Sequence, residues 1–397
     1  MTAHTGTTLR YDGQVIVVTG GGRGMGLAHA KLLASRGAKV VVNDLGVATM
    51  SGGDASAPPA EEAVAEIRAV GGEAVASTDS VSTQEGAARI VGTAIDTWGR
   101  IDGIIHNAAL ARFSAIDERT ADEYHAVRAV SLDGAMYLTL AAWPHMKRQQ
   151  YGRLLYITST AGLLGVPAQA AYAAAKTGML GLARVVRQEG EADGIRANLL
   201  GVAAYTRMTQ TMFAGGDAQG NENLEEWWKT YMSPDVVAAA AAYLVHHDVP
   251  VSGEIFDTKG GHLEHMFLAS TRGYTNPRLT PEEVRDHWDT VMGQEHYSVY
   301  ASGWESAISQ FNDIVAAGAD PLPGSSAARS PGRSAPRRGA RAPDDRSGQP
   351  RGDSWWWQVR DSNPRSLRRL IYSQIPLAAW VTCRGATDRV YSPVRSR

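Results

Sequence analysis

The chain has 397 residues, 44% of them hydrophobic and 20% charged, with a formal net charge of −2. This is the composition of a folded globular protein rather than a fibrous one. Its single cysteine, Cys383, excludes an internal disulfide scaffold and a four-cysteine metal site. No run of about 18 uncharged apolar residues occurs, so no membrane-spanning helix is expected, and the N-terminal MTAHTGTTLRYDGQ lacks an apolar signal core, which makes the cytoplasm the expected location.

In chain order, short β-branched runs alternate with longer Ala-rich stretches. Strands are expected at residues 14–19 (QVIVVT), 39–43 (KVVVN), 74–77, 101–106, 153–158 (RLLYIT), 195–200 and 253–257. Helices are expected between them at 26–35, 60–70, 84–98, 121–149 as one long rod, and 172–189. Strand–helix alternation of this kind implies right-handed crossovers. The expected fold is therefore α/β, a doubly wound parallel seven-stranded sheet, Rossmann-like, with helices on both faces. Residues 277–292 read as a further helix, N-capped by Thr280 with Pro281 in its first turn and Glu283 completing a capping box.

The net charge hides an asymmetry. Residues 329–397 hold 15 Arg, no Lys, five Asp and no Glu, a net +10, which leaves the preceding 328 residues at −12. This Arg-, Pro-, Gly- and Ser-rich tail, with Trp355-Trp356-Trp357 inside it, shows no helical or strand period and is expected to be disordered. It could serve a nucleic acid or an acidic partner; the alternative is an appendage without evolved function. The acidic body would repel phosphate and makes nucleic acid an unexpected partner. The domain layout is then 1–320 as one dinucleotide-binding domain, with its core at 10–265 and peripheral helices at 277–316, and 321–397 as the tail.

The first strand runs into TGGGRGMG at 19–26 and then a helix. Gly20, Gly24 and Gly26 supply a tight turn, close approach of backbone N–H groups to a pyrophosphate, and tight helix-on-strand packing. Arg23 and Met25 lie between them and join the expected cofactor contacts. Asp44 closes the second strand at the distance where a carboxylate accepts from ribose hydroxyls and repels a 2′-phosphate, so NAD is expected over NADP. The alternative is a solvated loop Asp. Asp79, after the third strand, is a candidate for the adenine amino group, with the same alternative.

Tyr172 and Lys176 stand four apart in YAAAK, so their side chains share a helix face. A nearby cation favours a phenolate, and one close lysine together with a positively charged cofactor ring could lower the tyrosine toward neutrality, so that it moves a proton. Ser159 lies thirteen residues before Tyr172, just past the fifth strand, where the carboxyl ends of the strands face the ligand crevice. Between 203 and 232, Met208, Met212, Phe213, Trp227, Trp228, Tyr231 and Met232 form a candidate flap over a hydrophobic substrate; core or subunit packing explains them equally well. Arg207 and Lys229 are the few basic groups that an acyl-CoA would meet there. His246, His247, His262 and His265 lack carboxylate or cysteine partners at ligand spacing, and no metal is expected.

These motifs, with Asn107-Ala108 after the fourth strand, resemble the short-chain dehydrogenase/reductase family over residues 10–265. VVNDLG (41–46), DSV (79–81), AAWPHMK (141–147), YGRL (151–154) and TRMT (206–209) are similar to its (3R)-hydroxyacyl-CoA dehydrogenase subgroup from peroxisomal multifunctional enzymes and bacterial relatives. The resemblance implies an NAD-dependent oxidoreductase that interconverts a secondary alcohol and a ketone through Ser159, Tyr172 and Lys176. The implied substrate is hydrophobic, 3-hydroxyacyl-CoA-like or steroid-like, and the assembly a homodimer or homotetramer. It also implies cofactor contacts at Asn107, Tyr172, Lys176 and Thr206. The chain departs from the family at Ser131, which stands where an Asn anchors a relay water and is carried as a catalytic candidate, and at Ala109 and Val202. The rival is a catalytically impaired dinucleotide-binding scaffold or sensor.

Overall fold

The computed structural model describes residues 8–47, 59–207, 209–210 and 222–320. The tail, with Cys383 and the tryptophan triplet, and Met208, Met212 and Phe213 of the candidate flap lie outside the described residues.

The expected strands appear as β1 (Val15–Thr19), β2 (Lys39–Asn43), β3 (Glu73–Ser77), β4 (Gly103–His106), β5 (Gly152–Thr158), β6 (Ile195–Ala203) and β7 (Ile255–Lys259). They form one sheet in the order β3-β2-β1-β4-β5-β6-β7 with every pairing parallel. Continuous apolar runs such as VIVVT suit strands covered on both faces, and all five of its residues are buried. An eighth strand, β8 (His262–Met266), adds antiparallel to β7. Gly260 and Gly261, at φ of 54° and 84°, form a two-residue turn between Lys259 and its partner His262. Paired positive φ values are what the tight hairpin turn requires and what glycine permits.

One face of the sheet is covered by α1 (Gly24–Ser35) and α2 (Pro59–Ala69), together with a helix further along the chain, α9 (Pro234–Leu244). Leu33, Ile67 and Leu244 are buried in that layer. The other face carries α3 (Gln84–Trp98), α5 (Gly134–Gln149) and α7 (Ala170–Gly190), with Ile90, Leu138 and Met179 in its core. Each such side chain taken fully from water contributes roughly 1.5–3 kcal/mol.

The rod expected over 121–149 is three pieces: α4 (Ala121–Arg128), a π-helical turn (Ala129–Asp133) and α5. Thr120 caps α4 with a reciprocal box to Glu123. Between the rod and the sheet's next crossover stand α6 (Thr160–Leu164) and, after β6, α8 (Glu222–Tyr231). The segment expected as one helix at 277–292 is split into α10 (Pro281–Asp286) and α11 (Trp288–Met292), and its capping box between Thr280 and Glu283 is present. A two-stranded pair, β9 (Ser270–Thr271) with β10 (Tyr297–Ser298), and α12 (Gly303–Ala316) complete the described chain. Because β1 sits between β2 and β4, strand order reverses there, and a crevice opens at the carboxyl ends of β1 and β4.

Candidate active site

A cavity of about 630 Å³ occupies that crevice. It gathers eleven of the expected site residues: Gly20, Arg23, Gly24, Met25, Asp44, Asp79, Asn107, Ser159, Tyr172, Lys176 and Thr206. Gly26 and Ser131 are not among the residues lining it.

The cofactor side is built by the turn from β1 into α1. Gly20 and Gly24 hold φ of 61° and 53°, a region costly for any residue with a Cβ. Gly26 acts behind the cavity: a Cβ there would lie 2.0 Å from the Gly20 carbonyl oxygen, so only glycine lets α1 start this close to the strand. Asn107 ties β4 to the same turn, its amide donating to the Thr19 and Gly20 carbonyls at 3.2 Å each. Asp44 leaves β2 pointing into this corner. Its carboxylate accepts from Gly22 N at 3.1 Å and Gly46 N at 2.9 Å, which fixes its position while leaving lone pairs for further donors. Asp79 is already engaged, accepting from Arg89 Nε at 2.5 Å. A glycine-rich turn, a helix N-terminus and a carboxylate past the second strand fit a dinucleotide.

The side that carries the candidate catalytic residues is built by β5 and α7. Ser159 follows the end of β5, and its Oγ caps α6 by accepting from Ala161 N at 3.1 Å. Tyr172 and Lys176 sit on the buried face of α7. Lys176 Nζ donates to the Ile157 carbonyl at 2.6 Å and lies 5.5 Å from the Tyr172 ring centre. In the chain alone, burial dominates the electrostatics of both groups. Burial pushes the Tyr172 phenol up to about 12, opposed only by hydrogen bonding with Ser159. Burial likewise pushes the Lys176 ammonium down to about 7. Loss of hydration is the largest cause for both groups, and it disfavours the charged form of each. In the chain alone the tyrosine is a protonated acid, not a phenolate.

Ser131 lies in the π-turn, fully buried, and its hydroxyl has no hydrogen-bond partner among the described residues. Its carbonyl instead pairs with His106 Nε2 at 3.0 Å, while His106 Nδ1 meets Thr19 Oγ1 at 3.0 Å. Thr19 Oγ1 also accepts from Asn107 N and Ala108 N, so its proton goes to the histidine. His106 was not singled out in the sequence; as the last residue of a buried strand it carries no pattern of its own. The same holds for Leu110, Phe113, Val166 and Gln169, which line the cavity from loops. Of the candidate flap, Trp228 reaches the lining, whereas Trp227 and Tyr231 are exposed and Met232 is buried. Arg207 also reaches the lining; Lys229 instead pairs with Glu225 and Glu226.

Away from the cavity, the reading that His246, His247, His262 and His265 lack carboxylate partners is corrected: His262 Nε2 lies 3.4 Å from Glu264 and His265 Nε2 lies 2.9 Å from Glu254. Asp248 stands 3.5 Å from His246 Nδ1 and 3.0 Å from His247 Nε2, a carboxylate neighbour that sequence spacing did not suggest. Both His246 nitrogens are nevertheless engaged, Nε2 with the Arg10 carbonyl and Nδ1 with Asp248 N.

Comparison with known proteins agrees with this geometry. Residues 14–215 match the family model described as short chain dehydrogenase. A protein of Mycobacterium tuberculosis named as a short-chain type dehydrogenase/reductase is 41% identical over 273 residues, which cover 69% of this chain and 91% of that one. Peroxisomal multifunctional enzyme type 2 of Mus musculus is 38% identical over 287 residues, 71% of this chain but 37% of the mouse protein, so the chain spans little more than a third of that relative. Its name sets a peroxisomal relative against the cytoplasmic location expected from the N-terminus. The crystal structure of a short chain dehydrogenase from Mycobacterium avium superposes with a TM-score of 0.61 at 32% identity, covering 72% of this chain and 96% of that one. Among the described residues no helix is long and apolar enough to cross a membrane.

Proposed function

The chain belongs to the short-chain dehydrogenase/reductase family and is an oxidoreductase acting on CH–OH groups, and on that premise we propose that it uses NAD to interconvert a hydrophobic secondary alcohol and its ketone. One observation carries the reading: Ser159, Tyr172 and Lys176 share a cavity with a bare glycine turn and Asp44. The bound dinucleotide would supply hydride acceptance and a positive charge. The rest falls to the chain. The Ser159 hydroxyl orients the substrate oxygen. The Tyr172 hydroxyl exchanges its proton with that oxygen. Lys176 holds the ribose and, once charged, favours the phenolate. Added positive charge beside Tyr172 must overcome the burial that keeps it protonated, so proton transfer is tied to cofactor binding.

Asp44 favours NAD, since its charge opposes a 2′-phosphate. Leu110, Phe113, Val166 and Trp228 favour an apolar substrate, 3-hydroxyacyl-CoA-like or steroid-like. Trp304, Ile308 and Phe311 recur on one side of α12 at 41–60% exposure, which supports assembly with further copies of the chain, a homodimer or homotetramer. We place the activity within residues 1–320, so a chain ending at 320 should retain its turnover.

Tyr172→Phe tests the central claim. Turnover of secondary alcohols and 3-hydroxyacyl-CoA esters should fall at least about 1,000-fold, with NAD affinity changed less than about threefold and NAD bound more tightly than NADP. Retained turnover would sink the assignment. A second reading, a dinucleotide-binding scaffold without catalysis, draws on the protonated Tyr172 and on the buried Ser131 hydroxyl. It requires NAD binding by the unmodified chain with no turnover in the same panel.

A further inference from the structure

We propose that Arg119 is a positioning residue that sets the width of the substrate side of the cavity, by clamping the loop after β4 to the loop ahead of α7. The proposal rests on reading this cavity as the alcohol site.

Both loops form the wall beyond the catalytic residues. The loop after β4 contributes Leu110, Ala111 and Phe113, and the loop ahead of α7 contributes Val166 and Gln169. Neither has regular secondary structure to hold it. Between them lies one guanidinium, with its side chain only 7% exposed. Arg119 Nη2 donates to the Arg112 carbonyl at 3.2 Å and the Ser114 carbonyl at 2.9 Å on one loop, and to the Ala168 carbonyl at 2.9 Å on the other. Ser114 N donates to the same Ala168 carbonyl at 3.1 Å, a short ladder between the loops.

Ala168 shows that this contact bends the backbone. Its φ is 63°, and among the described residues only Gln150 shares a positive φ without being glycine. An alanine holds that conformation only when its surroundings impose it, and its carbonyl is the group that Arg119 and Ser114 hold. Gln169 and the start of α7 follow directly, and Tyr172 lies four residues on, so slack here shifts the wall and the N-terminus of the catalytic helix together. The charge is balanced locally. Glu123 Oε2 stands 4.0 Å from Arg119 Nη1 and also accepts from Ser114 Oγ and Thr120 N. The cap of α4 is thereby joined to the clamp. Nη2 carries two N–H groups, so the three carbonyls share them; what the guanidinium adds is a rigid plane that fixes the donor directions, where a lysine ammonium rotates freely on its stem.

The test has two readouts on the full chain with Arg119→Met, and with Arg119→Lys as the milder variant if the first fails to fold. Hydrogen exchange is the first. Amides of 112–116 and 165–170 should exchange about 10-fold faster than in the unmodified chain, with the glycine turn at 20–26 unaltered. Kinetics is the second, with 2-butanol against 2-decanol and 3-hydroxybutyryl-CoA against 3-hydroxydecanoyl-CoA. The long-to-short ratio of kcat/KM should change at least about fivefold, through KM rather than kcat, with NAD affinity unaltered. A merely structural role would lower all substrates alike. Unchanged exchange in both loops overturns the clamp. Faster exchange with an unchanged ratio overturns its role in specificity. If the unmodified chain oxidises neither series, the reading of the cavity as an alcohol site fails with it, and exchange alone decides whether the clamp exists.

Discussion

Burying a lysine beside a tyrosine destabilises the chain in the absence of cofactor, and this conflict belongs to single residues. Lys176 titrates at about 7 when folded against 10.5 when free. Between those values the unfolded chain holds a proton that the folded chain lacks. Stability contributed at this site is therefore lost as pH falls from about 10.5 toward 7, and the full penalty is present below that. Lys176→Met removes the penalty. The variant should be more stable than the unmodified chain by up to about 4 kcal/mol at pH 7 in urea titrations, yet lose at least about 100-fold in turnover, the trade between stability and activity expected of a strained site. An unstabilised variant would mean that the buried ammonium is better compensated than its single carbonyl partner indicates. The pairing of Tyr172 with Lys176 was legible in YAAAK, because a four-residue spacing fixes a shared helix face. The direction of their titration was not, since it depends on how much water β5, the loop after β4 and α7 exclude together.

Elements tell a similar story at the turn from β1 into α1. Glycine spacing after an apolar strand identified the cradle, and the structure adds that its three glycines act differently. Gly20 and Gly24 are needed for their backbone angles, whereas Gly26 is needed because its α-hydrogen faces the Gly20 carbonyl. Gly26→Ala should therefore force α1 away from the strand, cost about 3 kcal/mol or more in stability, and abolish NAD binding in fluorescence titration. Near-normal affinity would show that the turn relaxes without losing the cradle. Two features at this scale went unread. The Gly260-Gly261 pair that makes the β7–β8 hairpin follows the expected last strand, and a search for parallel crossovers passes over it. The π-turn within the rod leaves no mark in helical periodicity, because one inserted residue shifts the pattern without breaking it.

For the whole molecule, two fully buried histidines, one in α1 and one at the end of β4, make the fold acid-sensitive. Burial alone lowers His29 to about 4, and burial, with Lys176 nearby, lowers His106 to about 3, against 6.5 in the free residue. Each is held neutral when folded. The unfolded chain gains protons below pH 6.5 and the folded chain does not, so stability falls from about pH 6.5 down toward pH 4. At pH 5 the loss is roughly 2 kcal/mol for each histidine. Denaturant midpoints should drop between pH 7.5 and pH 5, and His29→Leu should remove about half of that drop. An unchanged pH dependence in the variant would assign the acid limb to other groups. Alternation of short β-branched apolar runs with longer helical stretches was enough to indicate the doubly wound sheet, because parallel strands joined by crossover helices leave that pattern in sequence. It also pointed to the glycine turn and to Ser159, Tyr172 and Lys176 as neighbours, which depend on local spacing and which line one cavity. Tertiary structure alone decided that Ser131 is buried outside the cavity lining, that Tyr172 stays protonated in the chain alone, that His106 braces the π-turn, and that Arg119 spans two loops 49 residues apart at Ala168. These outcomes depend on which chain segments exclude water from one another, and a linear pattern does not carry that information.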